Sequence, residues 1–135
     1  MLINLASVSV VVKDYDEAIK WFTEVLDLEL RMDGSMGSDH RFITVGVRGQ
    51  EDISIVLHKS HDWATDSQSS IHGLLFHTDD CRQEVDRLRQ HGVKIAMEPE
   101  VQPWGVQAVF EDLYGNTHVL VEPSPMAFQR GSVEV

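Results

Sequence analysis

The sequence predicts an α+β protein built from two tandem β-α-β-β-β modules. Three observations carry this. Apolar strands and an amphipathic helix occur in the order strand, helix, strand, strand, strand, and that order then returns. The halves align at a constant offset of 66 positions, with Val8, Val10 and Asp14 falling on Leu74, Phe76 and Asp80. At both helix starts an Asp stands three residues ahead of a Glu or Gln, Asp14/Glu17 and Asp80/Gln83, the spacing of a capping box. Two halves that support each other are a stronger signal than any single element. Module 1 covers about residues 2–58, a polar linker 59–70, module 2 about 71–123, and a tail 124–135, all within a single domain.

Leu2 to Val12 reads as the first strand, Val8, Val10 and Val12 on one face and Ser7, Ser9 and Val11 on the other. Asp14 caps a helix whose stripe is Ile19, Phe22 and Leu26, joined by Ala18 and Val25, ending near Leu26 to Leu28. Trp21, beside that stripe, belongs to the core or an interface. Leu28 to Met32 forms a short strand, and Asp33 to His40 (DGSMGSDH) a polar, Gly-rich loop suited to a rim. Strands follow at Arg41 to Val47 and Asp52 to His58. In the second half, Ile71 to Thr78 is a strand, and Asp80 caps a helix carrying Val85 and Leu88 that Gly92 ends. Val93 to Met97 is a strand, and Pro103-Trp104-Gly105 a loop. Val106 to Asp112 and Thr117 to Val121 make a closing hairpin. Its turn, Leu113 to Asn116, places Gly115 and Asn116 where positive φ is needed, and Pro123 and Pro125 stop its second strand.

At 135 residues the chain is long enough for one domain with a hydrophobic core, and its 42% apolar and 24% charged content is that of a globular protein. Its longest apolar runs are too short to span a bilayer, so no membrane partner is expected. No leader segment is expected either, because Leu2 to Val12 already reads as a strand. One cysteine excludes an internal disulfide framework and points to the cytoplasm. A net charge of −11 leaves no basic stripe for nucleic acid and weakly favours a cationic ligand.

Three stretches, VSVVVKDYDEAIKWFTEVLDLEL, LLFHTDDCRQEVDRLRQHGVKI and PWGVQAVFEDLYGNTHVLVEP, resemble the glyoxalase/bleomycin-resistance/dioxygenase (vicinal oxygen chelate) superfamily. The last is similar to the family's WG…DP-x-GN hairpin, with Leu113 where that Pro usually stands. The resemblance implies curled mixed sheets around a cleft and a homodimer. It is less specific for function, since the fold hosts metal-dependent enzymes and metal-free drug-binding proteins. Carried over by position, the family's metal-ligand sites fall on Ser7, about Ile55, Gly73 and Val119. None is an ordinary ligand for a divalent ion, which needs several converging donors. No inherited metal and no cofactor are therefore expected.

His72 and His118 stand one residue from two of those sites, and in a strand that shift points a side chain to the other face. His58 and His61 have His-x-x-His spacing but lie at a strand end. His77 shares the face of Gly73 and Leu75. Cys81, at a helix start where the dipole can lower a thiol pKa, also lies on the stripe of Val85 and Leu88 and reads as packing. Arg31, Arg41 and Arg48 read as surface residues, Arg41 opening a rim strand. No nucleophile-base-orienter set emerges.

The ligand-binding candidates are Trp104, Trp63, Phe42, His77, Met36, Ser7, Ser9 and Gly105. Met32 also flanks the rim loop. Rigid aromatics and adaptable methionines on loops suit flat, partly apolar ligands. The alternative packs Trp104 on its own hairpin and Trp63 on a dimer partner. The expected function is metal-free sequestration of an aromatic or peptide-type antibiotic. The competing reading is a lyase/isomerase or dioxygenase whose metal is rebuilt from His58, His72, His77 or His118.

Overall fold

The computed structural model describes residues 1–35, 41–63 and 73–125. The chain divides into two compact units, residues 1–71 and 72–135. In the first, the order is β1 (Ser7–Val12), α1 (Tyr15–Glu24), β2 (Glu29–Ser35), β3 (Arg41–Gly46) and β4 (Ser54–Lys59). In the second it is β5 (Leu75–His77), α2 (Cys81–Gln90), β6 (Ile95–Gln102), β7 (Gly105–Glu111) and β8 (Thr117–Pro123). Each unit holds one four-stranded mixed sheet, ordered β1-β4-β3-β2 and β5-β8-β7-β6. In both, the first strand runs parallel to the last and the other pairs are antiparallel. The predicted α+β architecture is the observed one.

Asp14 and Asp80 are the N-caps of the two helices, and at the second the Asp80 N–H donates to Thr78 Oγ1 rather than closing the expected box with the Gln83 side chain. Glu17 N–H donates to Asp14 Oδ1 at 2.8 Å, and Gln83 N–H to Asp80 Oδ1 at 3.0 Å, so each Asp satisfies a backbone donor that the first helical turn leaves orphaned. The apolar stripe of α1 packs Ala18 and Phe22 against Val10, Val12, Ile43, Val45, Ile55 and Leu57, all buried. In the second unit Cys81, Val85 and Leu88 of α2 are buried with Ala108, Phe110 and Leu120.

Several boundaries differ from expectation, each for a stated reason. β1 starts at Ser7 rather than Leu2, because pairing to β4 begins at Ser7–Ser54. Upstream, Met1, Leu2, Ile3 and Leu5 are all exposed, and Ala6 C=O accepts from Ser54 N–H. β2 continues to Ser35 through pairs with Ile43, Phe42 and Arg41, which takes Asp33 and Gly34 out of the expected loop. β6 runs on to Gln102, and its Pro99 is tolerated because it falls in a register shift on an edge strand.

Arg31, read as a surface residue, is a clasp. Its Nη1 donates to Ile53 O at 3.0 Å and its Nη2 to Val47 O at 2.8 Å and to Gln50 O, tying down the β3–β4 connection. Gly46 lies beneath it, where an added Cβ would overlap the guanidinium and have to displace it. Replacing Arg31 with Met is expected to cost about 1–3 kcal/mol, because three carbonyls lose a charged donor. The same change at exposed Arg48, whose closest carboxylate lies 3.7 Å away, should cost under about 0.5 kcal/mol. Equal midpoints for the two variants in urea unfolding would remove the clasp from the account.

Candidate functional site

The sequence-predicted site residues fall in both units, and each group is best seen from its own sheet. In the first unit, cross-strand pairing runs Ser9–Val56–Thr44–Met32 across all four strands on the face opposite α1. Ser7 and Phe42 stand two residues from Ser9 and Thr44 and so share that face. Ser7, Ser9 and Phe42 are exposed. Trp63, beyond β4, is half-buried, with the Lys13 ammonium 4.7 Å from its ring centroid. A cation over a ring face is attracted by the ring quadrupole, which gives Trp63 a local anchor inside its own unit. Met36 and His72 lie outside the described residues.

In the second unit the corresponding row is Leu75–Val119–Val109–Met97. It is wholly apolar, whereas the first unit's row alternates small polar and apolar side chains. His77 and Gln107 lie on the same face as this row, each paired with Val121, and His77 is exposed.

The loop read at Pro103-Trp104-Gly105 is a tight turn, with Gly105 already in β7. Pro103 and Trp104 form the two-residue turn of the β6–β7 hairpin, closed by the Gln102–Gly105 pair. Trp104 is 40% exposed, and its Nε1–H donates to Gln107 Oε1 at 2.8 Å. Its backbone C=O accepts from Ser124 N–H at 2.9 Å. Gly105 has φ +142°, and a Cβ there would collide with the backbone carbonyl of Glu122. Only glycine lets β8 come that close beneath the tip.

The inherited metal positions fail a fit test. Ser7 is exposed on β1, and Gly73 has no side chain. Val119 pairs with Leu75, the position equivalent to Ser9, and Ser9 pairs with Val56. The first unit's counterpart of Val119 is therefore Val56. Ile55 pairs with Val8 and Val45, is buried, and belongs to the α1 side. The one-residue correction leaves the chemistry unchanged, because valine offers no donor either. Ser7 and Val56 in the first unit offer one hydroxyl, and Gly73 and Val119 in the second offer no side-chain donor, so neither pair fits a divalent ion.

The histidines separate in the same way. His118 is 0% exposed on the α2 side, its Nε2 2.8 Å from Asp112 Oδ2 and its ring 5.7 Å from that of Phe110. It is a core residue and unavailable as a ligand. His58 and His61 are exposed neighbours with ring centroids 6.4 Å apart. Among the described residues no group of three His, Cys, Asp or Glu side chains is placed to hold a metal ion.

The other chemically suggestive groups have structural work. Burial, and next the Glu122 carboxylate, push the Cys81 thiol above its ordinary pKa, the opposite of an activated thiolate. Arg41 hydrogen-bonds Asp33 through Nε and Nη2 and Asp16 through Nη1, and these partners hold its pKa above the usual range. Two residues escaped the sequence reading. Gln107 carries the bond to the indole, and Asp112 anchors the closing turn. Their available signals were a polar residue inside an apolar strand, and an Asp ahead of a Gly-Asn turn.

Residues 4–120 match the family described as the Glyoxalase/Bleomycin resistance protein/Dioxygenase superfamily. An uncharacterised protein of Shewanella frigidimarina is 31% identical over 125 residues, covering 88% of this chain and 93% of its own. Among solved structures, UcmS2 is 32% identical with a TM-score of 0.80, covering 90% of this chain and 99% of that one. TnmS3, an antibiotic binding protein from Streptomyces sp. CB03234, is 34% identical with a TM-score of 0.75, covering 92% and 99%.

Proposed function

The chain belongs to the Glyoxalase/Bleomycin resistance protein/Dioxygenase superfamily, and from that premise we propose that it binds and sequesters an aromatic or peptide-type antibiotic without altering it. The observation that carries the reading is the pairing of two facts. The family's metal positions hold Ser7, Val56, Gly73 and Val119, while a half-exposed Trp104 is hydrogen-bonded to Gln107, which shares the face of an apolar row. Such a surface gives affinity by apolar contact and ring stacking. Similarity to TnmS3 supports a small-molecule ligand. The acidic balance favours a cationic one. The working form proposed is a homodimer in the cytoplasm, on the family resemblance and the single cysteine. Among the described residues no helix is long and apolar enough to cross a membrane.

The test is tryptophan fluorescence during titration with a panel of aromatic peptide antibiotics, metal-free bleomycin first, on metal-analysed protein. Saturable quenching is expected in metal-free protein, with the compound recovered unmodified. Trp104→Ala should weaken binding by about tenfold or more, as removal of a central aromatic contact does. Recovery of a chemically changed compound, dependent on a stoichiometric bound metal, would sink sequestration in favour of the enzyme reading.

A further inference from the structure

Resting on that binding reading, we propose that Gln107 is a positioning residue: it fixes the Trp104 indole in the orientation that receives the ligand. The geometry at the hairpin tip singles it out. A large aromatic on a two-residue turn would ordinarily be free about both side-chain torsions. Here the backbone is fixed first, by Pro103 within the turn, by Ser124 N–H on the Trp104 carbonyl at 2.9 Å, and by Gly105 packed on the Glu122 backbone. The side chain is then fixed by one hydrogen bond, Nε1–H to Gln107 Oε1 at 2.8 Å. Despite these restraints Trp104 remains 40% exposed. It is an aromatic surface held rigid in water rather than a plug in a core.

Rigidity has a specific use here. Immobilising a rotamer-rich side chain on binding costs about 0.5–1.5 kcal/mol, and an indole held before the ligand arrives avoids that loss. Gln107 is placed for this and for nothing in the core. It pairs with Val121 on β8, on the face opposite α2, two strands from His77. Its carboxamide offers the indole an acceptor and keeps two N–H donors beside the apolar row. An acceptor is all the indole needs, so Glu at this position should serve and Leu should not.

The variants Gln107→Leu and Gln107→Glu test the proposal in two steps. Without ligand, the three tryptophans give three indole N–H resonances in a ¹⁵N spectrum, and Trp104→Phe identifies the relevant one. Gln107→Leu is expected to move that resonance upfield and speed its exchange with solvent, while Gln107→Glu leaves it close to wild type. With metal-free bleomycin, or the tightest-binding member of the panel, Gln107→Leu should bind about three- to tenfold more weakly, and Gln107→Glu should recover most of the loss. An unmoved indole resonance in Gln107→Leu overturns the proposal at its geometry. A moved resonance with unchanged affinity overturns it at its function while leaving the binding reading intact. Absence of binding to wild-type protein by every compound removes the binding reading itself, and the positioning role with it.

Discussion

Replacing Asp112 with alanine is expected to destabilise the protein by about 3–5 kcal/mol, the largest single effect anticipated for any hydrogen-bonding residue here. Asp112 is 6% exposed, and its carboxylate is the centre of the closing turn. Oδ1 accepts from Tyr114 N–H at 2.9 Å and from Asn116 N–H at 3.0 Å. Oδ2 accepts from Asn116 Nδ2 at 3.1 Å and meets His118 Nε2 at 2.8 Å. Asn116 and His118 are buried as well, so the donors freed by the substitution have little water to turn to. Leaving several buried polar groups unmet costs far more than the net worth of the bonds that held them. Equilibrium urea unfolding followed by circular dichroism measures the loss. A change below about 1 kcal/mol would mean that water reaches the cluster and that the turn is not closed by Asp112.

Gly105→Ala is the second large effect, expected at about 3 kcal/mol or more. Two penalties act together. The backbone sits at φ +142°, which side-chain-bearing residues rarely adopt, and an added Cβ would meet the Glu122 carbonyl, with Ser124 N at 2.9 Å. Neither obstacle is a flexible side chain that could swing away, so β8 must retreat and the 105–123 pairing must open. Gly115 supplies the control. It also has positive φ, +82°, but the nearest atom to an added Cβ is Glu111 Oε1 at 3.9 Å. Gly115→Ala should therefore cost only the conformational strain, about 1–2 kcal/mol. Thermal unfolding of the two variants side by side reads the difference. Equal losses would show that the close approach at Gly105 relaxes at no cost.

Much of the fold was legible because its signals are local. The Asp14 and Asp80 caps, the helix stripes and the terminating Gly92 each depend on residues within a few positions, and the repeat checked one half against the other. The strand ends were less legible. Whether Leu2 to Leu5 or Val101 and Gln102 lie in a sheet depends on whether a partner strand stands alongside, which no local pattern encodes. Among the candidate residues, Ser7, Ser9 and His77 lie on the helix-opposite faces of their sheets, where strand alternation put them, whereas Phe42 and Trp104 had been read only as flanking loops. Ile55 was one residue out because register across a parallel pair is set by the partner strand. Asn116 was read for positive φ, but only Gly115 takes it, and Asn116 is buried against Asp112. Arg31 and Gln107 were missed for a related reason. Each takes its meaning from a group on another turn or strand, and composition cannot announce that contact.

The two cross-sheet rows also bear on where each sheet tolerates substitution. Ser9 and Met32 terminate one row, Leu75 and Met97 the other, and all four sit on edge strands rather than in the middle of a sheet. None is buried. Substitutions at such positions ordinarily move stability by no more than about 0.5 kcal/mol, since neither the helix-facing core nor the central strands depend on them. The margins of each sheet can therefore vary in sequence while its helix-facing core and central strands stay the same.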